Sequence, residues 1–334
     1  MRILMVSHGY PPILRGVTLV VQKLARAMVH KGHEVIVVTA SEDGELYHDE
    51  DQGVRLVRLQ SAPNPFWEDG PVPFTGQNEL NEILTDFRAH VLHSQDAAVL
   101  GMQLMRLTHE QETPYMATVY YVPRFVARYL TWNGEPQEAI QSLVWAYSIW
   151  WFNRFDHGVF ATQAHRDRFV QKGLTAPDTI ISNGIDTTRY RPMNGQLDGI
   201  EIRYGLPPRP RIIFVSRLAR DKEIDVLIRA AHHVCARGDA HLLLVGDGDD
   251  RNRLEGLTRE ADLEDHVHFL GFVPEEDLPA LYRASDLFAI ASVCEVQSLP
   301  TLQAVASGLP AVAADALALP ELVHHGSNGF LVQP

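Results

Sequence analysis

The chain has 334 residues, of which 46% are hydrophobic and 21% are charged, and its formal net charge is −13. This length suffices for two ordinary domains with buried cores, and the acidic balance argues against a nucleic-acid binder, which normally carries a basic stripe. The two cysteines form no CxxC pair, so neither a disulfide framework nor a zinc site is indicated. No apolar run reaches the roughly 18 residues of a membrane span, and the start lacks the apolar segment of a signal peptide. We expect a cytoplasmic protein.

The first half of the chain alternates apolar runs with amphipathic segments. Ile3–Val6 and Glu34–Thr39 are predicted strands, and the segment between them predicts a helix over Thr18–His30. Further predicted strands are Val54–Leu59, Val91–His93, Tyr115–Val119 and Gly158–Ala161. Strands that alternate with helices of this length favour a parallel, Rossmann-like sheet.

The same pattern restarts after Arg191–Pro210, a segment rich in proline and glycine that is typical of a linker. The predicted elements beyond it are strand Arg211–Val215, helix Asp225–Cys235, strand His241–Val245, helix Arg251–Glu260 and strand Val267–Leu270. We therefore predict an α/β protein with two Rossmann-like parallel-sheet domains, residues 1–190 and 211–334, joined by a linker at 191–210. The active site is expected in a cleft between them.

Gly246-Asp-Gly248 lies between a predicted strand and a predicted helix, as in dinucleotide-binding proteins. Position 251 is arginine where that fingerprint requires its third glycine, so the match is weak. A tight turn accounts for the two glycines equally well, and we infer no dinucleotide cofactor.

The segment 286–314 carries a stronger signal. Leu287–Ile290 is a predicted strand, Glu295 lies in the loop after it, a small-residue helix begins near Ser298, and Ala311–Ala314 is the next strand. In open α/β sheets ligands bind at the carboxyl ends of the strands, and the N-terminus of a helix attracts phosphate. This geometry predicts an anionic ligand.

The residues of this segment resemble the retaining family 4 glycosyltransferases, which carry Glu-x7-Glu here. This chain has Glu295 and then Gln303, followed by Ala304–Val312, Pro320–Val323 and Asn328–Leu331 in the family's pattern. The other segments that agree are 1–39, Asn183–Asp186, Val215–Leu218 with Lys222, and Leu243–Val273. The resemblance implies a two-domain GT-B fold and transfer of a hexose from a UDP- or GDP-linked sugar to a lipid or glycan acceptor, with no cofactor and no metal.

The resemblance also implies a role for particular residues. Arg217 and Lys222 match the cations that hold the donor diphosphate, and Glu295 matches the carboxylate on the transferred sugar. Tyr120 stands where the family has a histidine between donor and acceptor. Because a phenol titrates near pH 10, it would position groups and not shuttle protons. The remaining residues that the resemblance places on the donor are Gly16, Phe272, Val273, Ser298, Leu299 and Gln303.

Departures from the family pattern leave a second interpretation open, a catalytically impaired nucleotide-sugar-binding or scaffold protein. Gln303 replaces an acid, Pro300 removes a backbone donor from the first helical turn, and Tyr120 replaces the histidine. The chain also stops at Pro334, before the helices with which the family's second domain usually continues, so we expect a truncated domain. A nucleotide-sugar epimerase fits a two-lobed fold but not the motifs.

The segment 120–155 is unusually aromatic and holds four of the five tryptophans, Trp132, Trp145, Trp150 and Trp151. Members of the family that glycosylate lipids carry such a surface in the first domain, and aromatic rings suit the bilayer interface. A helical hairpin packed on the sheet is the slightly favoured explanation of this composition. Peripheral membrane contact through this segment is therefore one of two alternatives.

Overall fold

The computed structural model describes residues 1–13, 16–63, 71–73, 77–95, 100–105, 112–123, 138–192, 199–235 and 237–334. The chain divides into two compact units, Met1–Ser182 and Asn183–Pro334. The division precedes the predicted boundary at residue 190. Tyr190 and Ile200 are fully buried in the core of the second unit, so the predicted linker at 191–210 contributes to that core.

The first unit is built on a sheet in which eight strands are described. The strands of this unit are β1 (Arg2–Val6), β2 (Glu34–Ala40), β3 (Tyr47–Asp51), β4 (Val54–Leu59), β5 (Ser61–Ala62), β6 (Val72–Pro73), β7 (Val91–Ser94), β8 (Tyr115–Val119), β9 (His157–Phe160) and β10 (Asp178–Ile180). The order in the main sheet is β10-β9-β8-β7-β1-β2-β4-β3, and β5 pairs with β6 in a separate two-stranded sheet. The main sheet is parallel except for β3, which runs antiparallel to β4 at the edge.

The helices of the first unit cover this sheet. They are α1 (Gly16–His30), α2 (Gln77–Phe87), α3 (Glu138–Phe152) and α4 (Gln163–Gln171). Alternate strand residues lie on opposite faces, and the two faces are packed separately. One core contains Met5, Val21 and Val37, and the other contains Leu4, Trp151 and Phe160.

The second unit is a six-stranded parallel sheet with helices. Its strands are β11 (Arg211–Val215), β12 (His241–Val245), β13 (Val267–Gly271), β14 (Leu287–Ile290), β15 (Ala311–Ala314) and β16 (Gly329–Val332), in the order β13-β12-β11-β14-β15-β16. Its helices are α5 (Ile200–Arg203), α6 (Ile224–Cys235), α7 (Arg251–Glu260), α8 (Leu278–Arg283) and α9 (Leu299–Ala306), with 3₁₀ turns at Arg220–Lys222 and Leu319–Glu321. The predicted α/β class with two parallel sheets is confirmed.

The strand order of the second sheet reverses between β11 and β14. From β11 the chain builds outward through β12 and β13, and it then returns to place β14 on the other side of β11. Because all these strands are parallel, the loops that follow β11 and β14 leave the same edge side by side. In open α/β sheets such a switch point is where ligands bind.

The Gly246-Asp-Gly248 sequence has a structural explanation at this edge. A Cβ added to Gly246 would lie 1.9 Å from the backbone oxygen of Ser216, and one added to Gly248 would lie 2.3 Å from that of Leu218. Backbone hydrogen bonds join the two loops in both directions, from Leu218 N to Asp247 O and from Asp250 N to Leu218 O. The glycines therefore let the loop after β12 lie against the loop that carries Arg217.

We predict that Gly248→Ala lowers the free energy of unfolding by about 1–3 kcal/mol, because the new methyl group would displace the backbone of Leu218. Gly238→Ala is the matched control. No atom lies within 4 Å of a Cβ added there, so the change should be neutral or stabilising by up to about 1 kcal/mol. Urea unfolding of both variants measures the difference, and equal effects would contradict the packing argument.

Candidate active site

The charged residues predicted to bind the donor come together at the switch point of the second sheet. Arg217 and Lys222 follow β11, and Glu295 follows β14. The Nζ of Lys222 donates a hydrogen bond of 2.7 Å to Oε1 of Glu295. Two residues 73 positions apart in the chain thus form one ion pair because their strands are neighbours.

This ion pair is largely removed from water. The side chain of Lys222 is 19% exposed and that of Glu295 is 11% exposed. Burial on its own would lower the pKa of Lys222, but the charges of Glu295 and Asp221 outweigh it and raise that pKa above its ordinary value. The ammonium group therefore stays charged at neutral pH and is available to an anion.

Asp221 is a member of this group that the sequence analysis missed. Its carboxylate lies 3.6 Å from Nη2 of Arg217 and 3.5 Å from Nζ of Lys222. The side chain is only 10% exposed, and Oδ1 accepts no hydrogen bond from the described part of the chain. Its position directly before Lys222 was the available signal, but sequence alone does not show which side of the turn it faces.

The four charges form an alternating series, Arg217, Asp221, Lys222 and Glu295. Two positive and two negative side chains give the group no net charge in this structure. Arg217 is the most exposed of the four, with 39% of its side chain accessible. The arrangement can offer two cations to an incoming anion while carboxylates hold them in place.

The N-terminus of α9 lies at the same edge, after β14. Ser298 is buried and caps the helix, since its Oγ accepts a hydrogen bond from the backbone N of Thr301. The hydroxyl of Thr301 also donates to it, at 2.8 Å. The Ser298 side chain is thus engaged within the helix, and its predicted contact with the donor, like that of Leu299 at the first helical position, stays a prediction.

Gln303 has an internal partner that the sequence did not suggest. It is buried, and its Oε1 accepts a hydrogen bond of 3.2 Å from the hydroxyl of Tyr282, which is itself fully buried. Burial raises the pKa of Tyr282 well above its ordinary value, so the hydroxyl stays protonated and donates. A neutral amide accepts this bond without bringing a charge into the core.

Phe272 and Val273, which follow β13, differ in their surroundings. The side chain of Phe272 is 66% exposed, whereas Val273 belongs to the core of the second unit. An exposed ring is available for stacking on a planar ligand, and a buried valine acts through packing. Their contact with a nucleotide base stays a prediction.

Tyr120 lies in the first unit, directly after β8, among buried polar groups. Burial raises its pKa to about 12, against the opposing effect of a hydrogen bond with Thr118. The hydroxyl of Thr118 also pairs with Nε2 of His93 at 2.7 Å, and burial lowers the pKa of His93 to about 4. Tyr120 and His93 are therefore both uncharged at neutral pH.

Gln95 is a second residue that the sequence analysis missed. It follows β7, is 1% exposed, and neither atom of its amide has a partner among the described residues. Nδ1 of His93 is buried without a partner in the same way. Buried polar atoms are normally hydrogen-bonded, so these donors and acceptors are unused as far as residues 1–13, 16–63 and the other described ranges are concerned.

Gly16 is the first residue of α1 in the first unit. No atom of the described residues lies within 4 Å of a Cβ added there, so packing against this part of the chain does not require glycine. Arg15, which precedes Gly16, lies outside the described residues. The role of Gly16 at a phosphate stays a prediction.

The aromatic segment of the first unit is part core and part surface. Trp151 and Phe152 of α3 are buried in the core, but Leu143, Tyr147 and Trp150 are exposed on the other side of the helix. The guanidinium of Arg154 lies 3.9 Å from the ring centre of Trp150. Trp132 lies outside the described residues, and within them no helix is both long and apolar enough to cross a bilayer.

Two protein-family profiles match the chain. Residues 14–189 match the family described as Glycosyltransferase Family 4, and residues 203–334 match Glycosyl transferases group 1. The first match covers most of the first unit, and the second includes every strand of the second sheet.

Similar proteins cover most or all of the chain. An uncharacterized glycosyltransferase of Methanocaldococcus jannaschii is 27% identical over the whole chain and 85% of its own length. The alpha-monoglucosyldiacylglycerol synthase of Streptococcus pneumoniae is 25% identical over 94% of this chain and 71% of that protein. Among solved structures, Anabaena HepE in complex with UDP-glucose has a TM-score of 0.78 and 21% identity, covering all of this chain and 86% of that one. The structural likeness shows a shared fold.

We predict a coupling free energy of about 1–3 kcal/mol between Lys222 and Glu295, because removing either partner leaves the other charge largely buried. Urea unfolding of Lys222→Met, Glu295→Gln and the double variant gives this value. Arg229 and Asp225, a more exposed ion pair at 2.8 Å on α6, provide the control cycle, with an expected coupling of about 0.5 kcal/mol or less. Equal coupling in the two cycles would contradict the prediction.

Proposed function

We propose that this chain, which belongs to glycosyltransferase family 4, moves a hexose from a nucleotide-diphospho-sugar to a lipid or glycan acceptor, with retention of configuration and without a metal ion. Its fold is of the GT-B type, and its sequence matches two glycosyltransferase family profiles. The observation that carries the proposal is the pair of cations, Arg217 and Lys222, at the switch point of the second sheet beside Glu295.

The two cations support a role in stabilising the leaving group. When the bond between the sugar and the diphosphate breaks, negative charge accumulates on the phosphate oxygens, and fixed positive groups stabilise that charge. Arg217 and Lys222 supply two such charges, so the step does not need a divalent cation. Glu295 would then exchange its bond to Lys222 for hydroxyl groups of the transferred sugar.

The remaining donor contacts would come from the other residues that the family resemblance indicates. Gly16 would allow close approach of a phosphate. Ser298 and Leu299 would contact a phosphate at the N-terminus of α9. Phe272 and Val273 would adjoin the base. Gln303 would accept a hydrogen bond from the ribose, a weaker contact than a carboxylate makes, because charge-assisted hydrogen bonds are roughly twice as strong as neutral ones.

Retention is proposed because the motifs resemble those of the retaining family 4 glycosyltransferases, and the protonation states of Tyr120 and His93 are compatible with it. Neither Tyr120, with a pKa of about 12, nor His93, with a pKa of about 4, is poised to accept a proton near neutral pH. We therefore assign the proton of the acceptor hydroxyl to the departing diphosphate oxygen. The hydroxyl oxygen would bond to the anomeric carbon on the face that the diphosphate leaves, which retains configuration.

A nucleotide-sugar-binding protein without transferase activity is the second candidate. The hydrogen bond between Gln303 and Tyr282 favours it, since the amide is already engaged inside the second unit. Both candidates bind a nucleotide diphosphate, but only the transferase releases the sugar from a nucleotide-diphospho-sugar when an acceptor is supplied.

We also propose that the protein works in the cytoplasm at a membrane surface, through the exposed face of α3. Leu143, Tyr147 and Trp150 present apolar and aromatic groups, and Arg154 adds a cation beside them. Aromatic rings and cations together suit the headgroup region of an anionic bilayer. The synthase of Streptococcus pneumoniae bears the name of a glycolipid, which is in keeping with a lipid acceptor here.

We predict that UDP, GDP or ADP binds in the presence of EDTA and that Arg217→Ala and Lys222→Ala each weaken binding about tenfold or more, since a hydrogen bond to a charged group contributes about 1.5–3 kcal/mol. Isothermal titration calorimetry against the three nucleotides measures this. Arg229→Ala removes an exposed cation of α6 and should bind like wild type. Unchanged affinity in both site variants, on folded protein, would refute the assignment.

We predict that the double variant Leu143→Ser, Trp150→Ser binds anionic vesicles about fivefold less than wild type, because burying these side chains drives interfacial binding. Co-sedimentation with phosphatidylglycerol-containing vesicles measures the bound fraction. Ile202→Ser removes a still more exposed apolar side chain from the second unit and should leave binding unchanged. Wild-type binding by the double variant would exclude this face.

A further inference from the structure

Asp221 places a carboxylate near Arg217 and Lys222, the two cations at the candidate diphosphate site. Its carboxylate is 10% exposed, and one of its oxygens accepts no hydrogen bond from the residues that the structure describes. Leaving a carboxylate oxygen buried without a hydrogen bond is unfavourable. Arg217 and Lys222 are near enough, at 3.6 and 3.5 Å, to compensate its charge.

The distances show what kind of contact this is. Both separations exceed a normal hydrogen bond of about 2.7–3.2 Å, so Asp221 attracts the cations without directing their N–H groups. An anion that binds Arg217 or Lys222 would therefore not have to displace a direct hydrogen bond to the Asp221 carboxylate. The nearest carboxylate to Lys222 is Glu295, at 2.7 Å.

Asp221 is itself held in place by its backbone. It lies in the 3₁₀ turn Arg220–Lys222, where the backbone N of Lys222 donates to the oxygen of Ala219. Its own backbone oxygen accepts a hydrogen bond from the hydroxyl of Ser292, in the loop after β14. An anion that reaches Arg217 and Lys222 thus arrives close to a fixed negative charge.

We propose that Asp221 is the counterion of Arg217 and Lys222 in the ligand-free protein. Its charge stabilises the two cations there and repels the bound diphosphate. Asp221 thereby lowers nucleotide affinity and speeds release of the nucleotide product. This proposal rests on the proposed function, since it requires the diphosphate to bind these cations. Asp221 acts through the two cations and touches no reacting atom, so its role is one of positioning and of setting affinity.

The charge of Asp221 influences nucleotide affinity in two ways. Like charges several ångströms apart in a partly buried site repel appreciably, and a ligand with two or more negative charges increases that repulsion. Removing the charge of Asp221 also makes the ligand-free cations less stable, which favours the bound state further. Both effects act in the same direction on affinity, whereas the free protein loses a favourable interaction.

The test is Asp221→Asn, which keeps the shape of the side chain and removes its charge. We expect about tenfold tighter binding of the preferred nucleotide diphosphate, in EDTA, together with a slower dissociation rate and a lower melting temperature of the free protein. Asp225→Asn is the matched control, because it removes the same charge from α6, where Asp225 pairs with Arg229. Its nucleotide affinity should stay within about twofold of wild type.

Two further variants separate charge from shape. Asp221→Ser is a second neutral variant for the case in which the asparagine variant does not fold, and it should also bind more tightly. Asp221→Glu retains the charge and should bind no more tightly than wild type. A merely structural role for Asp221 lowers the melting temperature of all three variants without tightening nucleotide binding.

Weaker or unchanged affinity in the folded neutral variants would overturn the proposal. That result is distinct from failure of the proposed function. If wild type binds nucleotide diphosphate and Arg217→Ala weakens the binding about tenfold or more, the function stands even where Asp221→Asn shows no gain. If wild type binds none of the three nucleotide diphosphates, both proposals fail.

Discussion

The reversal of strand order between β11 and β14 is the constraint on which the candidate site depends. It brings the loop after β11 beside the loop after β14, so that Lys222 and Glu295 meet although they are far apart in the chain. A parallel sheet delivers all its strand ends to one edge, and a switch point opens a crevice there. The ion pair is therefore a consequence of topology.

The site is also held by contacts that bear no charge. Gly246 and Gly248 allow the loop after β12 to form hydrogen bonds with the loop around Arg217, and Ser298 caps α9 beside them. Positioning of this kind keeps the loops that carry the charged groups close to the place where negative charge develops. The two glycines that resemble part of a dinucleotide motif have this supporting role in the second unit.

Much of the fold was predictable because apolar runs mark buried parallel strands. Those at Arg211–Val215, His241–Val245 and Leu287–Ile290 coincide with β11, β12 and β14. Strand β3 was missed, since Tyr47–Asp51 is polar and is paired at a sheet edge through its backbone. Helix α8 and strand β16 are short elements whose apolar residues did not stand out from the neighbouring loops.

The sequence was less informative about partners within the site. The motif indicated Arg217, Lys222 and Glu295, but the direction in which each side chain points depends on packing between strands far apart in the chain. Asp221 and Gln95 carry no motif, and Tyr282 is separated from Gln303 by an entire strand and loop. Hydrogen bonds of this kind are set by tertiary structure.

The most direct test of the account is the structure of the protein with a bound nucleotide diphosphate. If Arg217 and Lys222 bind the diphosphate, phosphate oxygens will lie within hydrogen-bond distance of both side chains. No metal will lie between the phosphates and these side chains, and Nζ of Lys222 will have turned from Glu295 toward the ligand. A nucleotide bound elsewhere, with the 2.7 Å bond between Lys222 and Glu295 intact, would contradict it.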